Sequence, residues 1–155
     1  MNEPSYQSYS SLEKYVRNYS DDEDPVLYEL FRETHKKVLQ PRMLSGHIQG
    51  KMLEMIARMI RPHKMLEIGT YTGYAAICIA KGLPDNATLH TIELNDELEE
   101  FIRYYFDKAG VQNKIQLHIG KAQEIIPKIN KKFDCIFIDG DKREYPEYLH
   151  LCKEY

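Results

Sequence analysis

From about residue 64 onward the chain alternates short apolar runs with helical stretches, and no other feature constrains its fold as much. Apolar run MLEIG (65–69) precedes a helical stretch at 74–82, and TLHTIEL (88–94) precedes another at 96–109. KIQLHI (114–119) leads into a helix at 121–131, and DCIFID (134–139) into a helix near Tyr145-Pro146. Strands separated by one helix each are joined by crossovers, and crossovers of this length build right-handed βαβ units and a parallel sheet with helices on both faces. The second helical stretch carries its own punctuation. Asn95 or Asp96 supplies the N-cap, Glu97 and Glu99 fall in the first turn, and Gly110 follows the last turn. The fold class is α/β, and 155 residues form one domain of ordinary size around one sheet.

The first third of the chain reads differently. Tyr6, Tyr9, Leu12, Tyr15, Val16 and Tyr19 recur at roughly helical spacing, which predicts an amphipathic helix laid on the domain or on a partner subunit. A lid over a ligand site is the alternative. The acidic run Asp21-Asp22-Glu23-Asp24 reads as a solvated linker whose charge also suits the start of the next helix. That helix spans Pro25 to Gln40 on Val26, Leu27, Leu30, Phe31, Val38 and Leu39, and Pro41 ends it. After the PRMLSG turn a helix at 47–60 is expected to bury Ile48, Met52, Met55, Ile56, Met59 and Ile60, with Pro62 closing it. The organisation expected is a helical segment over 1–40 and a sheet domain over 41–155.

Several function classes are disfavoured at once. Net charge is −3 with the basic residues scattered, which leaves no nucleic-acid footprint. The apolar runs are far below the ~20 residues of a membrane span, and the N-terminus has no basic-then-apolar signal. Three cysteines at 78, 135 and 152 form no CxxC pair, so a reduced, cytoplasmic chain without disulfide or zinc knuckle is expected, with Cys135 in the core. Six histidines show neither HxH nor HExxH spacing; His90 and His118 fall inside strands and are expected to be packed.

Ligands of an open parallel sheet bind beyond the carboxyl ends of its strands, so the strand ends carry the functional argument. The first reads Glu67-Ile68-Gly69-Thr70-Tyr71-Thr72-Gly73-Tyr74, with two glycines bracketing the turn into the helix. The G-x-G-x-x-G spacing that seats a pyrophosphate is absent, and so is a phosphate-loop GK[ST]. This turn suits a nucleoside without phosphates better than it suits NAD, which disfavours a nicotinamide-dependent oxidoreductase. The second strand ends at Glu93, 24 residues after Gly69, where a carboxylate can accept both ribose hydroxyls, the alternative being a solvated acid. At the third, Gly120-Lys121-Ala122-Gln123 opens a helix, and Gln123 either meets an adenine edge or stays in solvent. The fourth, Asp139-Gly140-Asp141-Lys142, groups two carboxylates and an amine, either as a cation ligand beside a base or as a polar turn.

With these residues in view, the chain resembles the metal-dependent O-methyltransferases that use S-adenosylmethionine, the group containing catechol and caffeoyl-CoA O-methyltransferases. PRMLSGHIQG, LEIGTYTGYAA, TIELN, IGKAQEIIP and FIDGDKREY carry the resemblance, in the family's order, over roughly residues 40–148. It implies a Rossmann-like class I methyltransferase fold and a methyl group passed to a hydroxyl of a catechol-like or other small phenolic acceptor. By position, Met43 and Ser45 would lie beside the methionine moiety, with the Ser45 amide on its carboxylate. Glu67, Gly69 and Tyr71 would line the cofactor, and Gly73 would allow the tight turn. Glu93 would bind the ribose, Leu94 would flank the adenine, and Ala122 and Gln123 would meet its edge. Asp139 would border the cofactor and be the first ligand of a divalent cation, usually Mg2+, with Lys142 as the catalytic lysine.

The resemblance also implies later strands and an Asp-Asn pair completing the metal site, and neither has a counterpart in these 155 residues. Strand order 3-2-1-4 would leave DCIFID on an edge, although its unbroken apolar run expects a neighbour on each side. The expectation is therefore a truncated form of a longer protein, the alternative being a natural short form whose edge a partner covers. A non-catalytic S-adenosylmethionine-binding module acting with a partner subunit is the alternative function, and a homodimer through the N-terminal helix is a further expectation.

Overall fold

The structure, a computed structural model, describes residues 11–155, so Tyr6 and Tyr9 of the expected N-terminal helix lie outside the described residues. Helices α1 (Ser11–Asn18), α2 (Pro25–Lys37) and α3 (Gly46–Ile60) precede the alternating part. There β1 (Lys64–Ile68), α4 (Tyr74–Gly82), β2 (Thr88–Glu93), α5 (Glu99–Lys108), β3 (Ile115–Ile119), α6 (Ala122–Ile129), β4 (Cys135–Ile138) and α7 (Tyr145–Cys152) follow in turn. The four strands form one parallel sheet in the order β3-β2-β1-β4. In this register Glu67 lies between Thr91 and Phe137, and Ile68 between Ile92 and Ile138. As the alternation predicts, helices cover both faces. Met65 and Leu89 pack into a core with α2, α4 and α5, while Leu66, Ile68 and Ile92 pack under Ile126, Tyr148 and Cys152 of α6 and α7.

Cap chemistry places the helix starts. Asn95 accepts the Glu97 amide at 3.1 Å and opens a 3-10 turn, Asp96–Leu98, before α5. Asp24 accepts the Val26 amide at 2.7 Å to cap α2, with Pro25 at its first position.

Four sequence expectations need correction. The methionine row of α3 is not its buried face: Met52, Met55, Met59 and Ile60 are at least half exposed, and Ile48 and Ile56 only half-buried. His47, Gly50, Leu53 and Ala57 are buried instead, at the same 3–4 residue spacing. The reason is close approach. Helix α4 presents Ala75, Cys78 and Gly82, and a Cβ on Gly50 would stand 2.6 Å from the Cys78 sulfur. Only small residues fit where two helix backbones come that near. Leu39, expected in the core of the second helix, lies beyond the end of α2 and is 88% exposed.

Helix α1 buries none of its residues, and Leu12, Tyr15 and Tyr19 face outward. The acidic run is half docked rather than solvated. Glu23 accepts the Tyr74 hydroxyl at 2.5 Å, Asp24 pairs with Lys81, and Asp21 reaches to 3.8 Å from Lys51. Cys135 is half-buried, because β4 is an edge strand with a neighbour on one side only. His90 is packed as expected, and its Nδ1 stands 3.0 Å from Nε2 of half-buried His118. Among the described residues all three cysteines are free, and no helix is long and apolar enough to cross a membrane.

Candidate functional site

The carboxyl ends of all four strands open into one cleft of about 1120 Å³. Its walls include Met43, Ser45, Gly69, Tyr71, Glu93, Leu94, Ala122, Gln123, Asp139 and Lys142, ten of the positions singled out in the sequence. Glu67 and Gly73 lie behind the wall instead.

The turn after β1 is held by backbone geometry. Gly69 has φ +101 and approaches β4 so closely that a Cβ would stand 2.5 Å from the Asp139 carbonyl oxygen. The Gly69 and Thr70 amides both donate to Ile92 O, at 3.0 and 3.2 Å, and Gly73 donates to Thr70 O at 2.9 Å. Tyr71, between the glycines, is itself left-handed at φ 51. That conformation costs a side-chain-bearing residue on the order of 1–3 kcal/mol and persists only where neighbours enforce it. Here they do. The Tyr71 amide donates to Glu93 Oε2 at 2.6 Å, and its hydroxyl donates to Leu39 O at 2.9 Å, bracing the segment that carries Met43 and Ser45.

Glu93 accepts a second amide, from Asn95, at 2.9 Å on its other oxygen. A carboxylate has about four acceptor positions, so these amides leave capacity for hydroxyl donors. Burial raises the Glu93 pKa, and the Asn95 and Tyr71 amides oppose that rise. That acceptor capacity fits the paired hydroxyls of a ribose. Exposed Leu94 adds an apolar surface at the same strand end, where a flat base can rest.

Glu67 is fully buried beneath this turn. Its Oε2 accepts the Thr91 hydroxyl at 2.5 Å, and Thr91 is 2.5 Å from the Thr70 hydroxyl, while Oε1 has no partner among the described residues. Burial pushes the Glu67 carboxyl up to about 8, with Asp139 and Glu93 adding to the rise against the Thr91 bond. A residue expected to line the cleft therefore acts on it through two threonines. At the opposite wall Gln123 Nε2 is 3.4 Å from Glu144 Oε2, which also accepts the Tyr148 hydroxyl. Thr70, Thr91, Glu144 and Tyr148 escaped the sequence reading. Thr91 was the most accessible of them, since period-2 alternation puts it on the Glu67 face two residues before Glu93.

Asp139 is half-buried on the cleft lip, and burial raises its pKa while the Lys142 charge lowers it. Asp141 does not join it: its carboxylate caps the 3-10 turn Lys142–Glu144 and is held near 2 by Arg143. Among the described residues no three His, Cys, Asp or Glu side chains converge to hold a metal ion. One carboxylate is short of the six or more oxygens a hard cation requires, so these residues do not by themselves fit a divalent-metal centre.

Comparison with known proteins places this cleft in context. Residues 17–155 match the family model described as O-methyltransferase. Over 147 residues the chain is 32% identical to a catechol O-methyltransferase of Niastella koreensis, covering 92% of this chain and 66% of that protein. It is 31% identical to caffeoyl-CoA O-methyltransferase 1 of Zea mays, covering 81% of this chain and 51% of that one. The chain thus spans between half and two thirds of these curated relatives. Among solved structures, the O-methyltransferase TomG of Streptomyces achromogenes in complex with SAM superposes with a TM-score of 0.85 at 30% identity, over 93% of this chain and 66% of that one.

Proposed function

The chain belongs to the O-methyltransferase family, and on that premise we propose that the protein transfers a methyl group from S-adenosylmethionine to a hydroxyl of a catechol-like or other small phenolic acceptor. The observation that carries this reading is the Glu93 carboxylate, fixed by the Tyr71 and Asn95 amides on the wall of the cleft. When bound, S-adenosylmethionine would supply a sulfonium-activated methyl group, whose carbon would bond to the acceptor oxygen as its bond to sulfur breaks and the thioether leaves.

The chain's own residues then position and discharge. Glu93 takes the ribose hydroxyls, Leu94 and Gln123 flank the adenine, and Met43 with the Ser45 amide bounds the methionine end. Gly69 and Tyr71 shape the floor of the cleft. Holding two reactants in line supplies much of such a rate, on the order of several kcal/mol. Lys142, whose amine acts on Asp139, takes the proton that the acceptor hydroxyl gives up when it stands as the neutral amine, and as the resulting ammonium it faces the developing oxyanion. Asp139 is the one carboxylate these residues offer to a magnesium ion, and the proposed transfer takes no step through that ion.

That single donor also favours a second reading, an S-adenosylmethionine-binding module acting with a partner subunit. Incubation with methyl-labelled S-adenosylmethionine and catechol, with and without added magnesium, separates the two. Labelled methyl ether, lost in Lys142→Ala, supports the transferase. A cofactor-saturated protein that yields none supports the module.

A further inference from the structure

Gln123 can face a ligand with either end of its amide, and the end it presents decides which base it accepts. Adenine offers an N6 amino donor at its edge, where a 6-oxo purine offers an acceptor. Within the cleft the Gln123 Nε2 is turned to Glu144 Oε2 at 3.4 Å, and the same oxygen accepts the Tyr148 hydroxyl. Turning the amide over would set its carbonyl oxygen against a carboxylate, acceptor against acceptor, which electrostatics disfavours. Gln123 lines the cleft, and its Oε1 has no partner among the described residues, so the oxygen is the end of the amide left to accept from a ligand. Tyr148 is buried beneath the strand-end loop, where a Cβ on Gly140 would come within 3.1 Å of its ring.

We propose that Glu144 is a positioning residue that sets the Gln123 amide to read a 6-amino purine and to refuse a 6-oxo one. The proposal rests on the cofactor reading above and assigns its base specificity to a residue outside the base contacts themselves. With Glu144 gone the amide rotates freely, offers its NH2 to a 6-oxo group, and the preference disappears.

The test is calorimetric affinity for S-adenosylhomocysteine and for its 6-oxo counterpart, S-inosylhomocysteine. Wild type, Glu144→Ala, Gln123→Ala, the double variant and Tyr148→Phe are compared. Wild type should favour the adenine compound by about tenfold or more, the scale of one hydrogen bond gained against one repulsive contact. Either single alanine variant should bring the ratio to within about threefold, with no further change in the double variant, because Glu144 acts only through Gln123. Tyr148→Phe should keep the wild-type preference.

A wild-type ratio near one, a preference that survives Glu144→Ala, or a further fall in the double variant overturns the proposal. So does a collapse in Tyr148→Phe, which would make the role a structural one. Failure of folded wild type to bind S-adenosylhomocysteine at all overturns the cofactor reading and this proposal with it.

Discussion

The Tyr71 amide and the Glu93 carboxylate meet at 2.6 Å across the ends of β1 and β2. This one bond does two jobs. It holds Tyr71 in a left-handed conformation that its side chain disfavours, and it orients the carboxylate toward the cleft. Glu93→Ala should therefore loosen the turn as well as remove a ligand contact. Urea unfolding should show a loss of about 1–3 kcal/mol, the scale of a charge-assisted pair of bonds removed. Glu93→Gln, which keeps the shape and one acceptor oxygen, should recover part of the stability and little of the cofactor affinity.

The Gly69 turn is the tightest point between β1 and β4. In Gly69→Ala the new Cβ would stand 2.5 Å from Asp139 O at a φ of +101, so both sterics and backbone conformation oppose it. The expected cost is of the order of 1–3 kcal/mol, with a lowered thermal midpoint and lost S-adenosylhomocysteine binding. Gly110→Ala has open space at its Cβ but φ +68; it should lose some stability and keep binding.

Stability should fall as the solution is made more alkaline from pH 6.5 to 8. Burial raises the Glu67 carboxyl to about 8 from the 4.5 of a solvated glutamate, so in this window the folded chain holds a proton that the unfolded chain has released. Its stabilising contribution is complete below the unfolded value and is lost as pH climbs through about 8. Urea midpoints measured at half-unit steps should decline across the window in wild type and stay flat in Glu67→Gln, which keeps an acceptor for Thr91.

On the acid side the sign reverses. Burial and the neighbouring His118 hold His90 down to about 4, so between 6.5 and 4 the unfolded chain binds a proton the folded chain refuses. Stability contributed by the neutral pair is present above 6.5 and is lost as pH drops toward 4. The Glu67 proton opposes this between 4.5 and 6.5, so the effect is read in the Glu67→Gln background, where replacing both rings, His90→Phe with His118→Leu, should flatten the acid limb of the urea series.

The docked acidic run gives a weaker effect that depends on salt. Lys81 and Asp24 are both partly exposed, so their pair is screened, and Lys81→Ala should cost no more than about 1 kcal/mol. That loss should shrink in 1 M salt, as read from urea midpoints at two ionic strengths.

Much of this architecture was legible in the sequence, and the reasons are local. Strand–helix alternation produced the sheet, the Asn95 cap placed the start of α5 through its 3-10 turn, and strand-end residues named most of the cleft wall, because topology alone brings carboxyl ends together. What escaped depended on contacts distant in sequence. The methionines of α3 have the periodicity of a buried face, yet the buried stripe runs through Gly50 and Ala57 because α4 comes too near for larger side chains. Glu67 belongs to the pattern of the turn, but its burial and its reach to Thr91 follow from the β1–β2 register. Glu144 looked like any polar turn residue until α6 was set beside α7.

Calorimetric titration of the chain with S-adenosylhomocysteine, beside the Glu93→Ala variant, tests the central claim most directly. The account predicts saturable binding to a single site in wild type, weakened by about tenfold or more in the variant. No heat from folded wild-type protein, or equal affinity in the two, would contradict it.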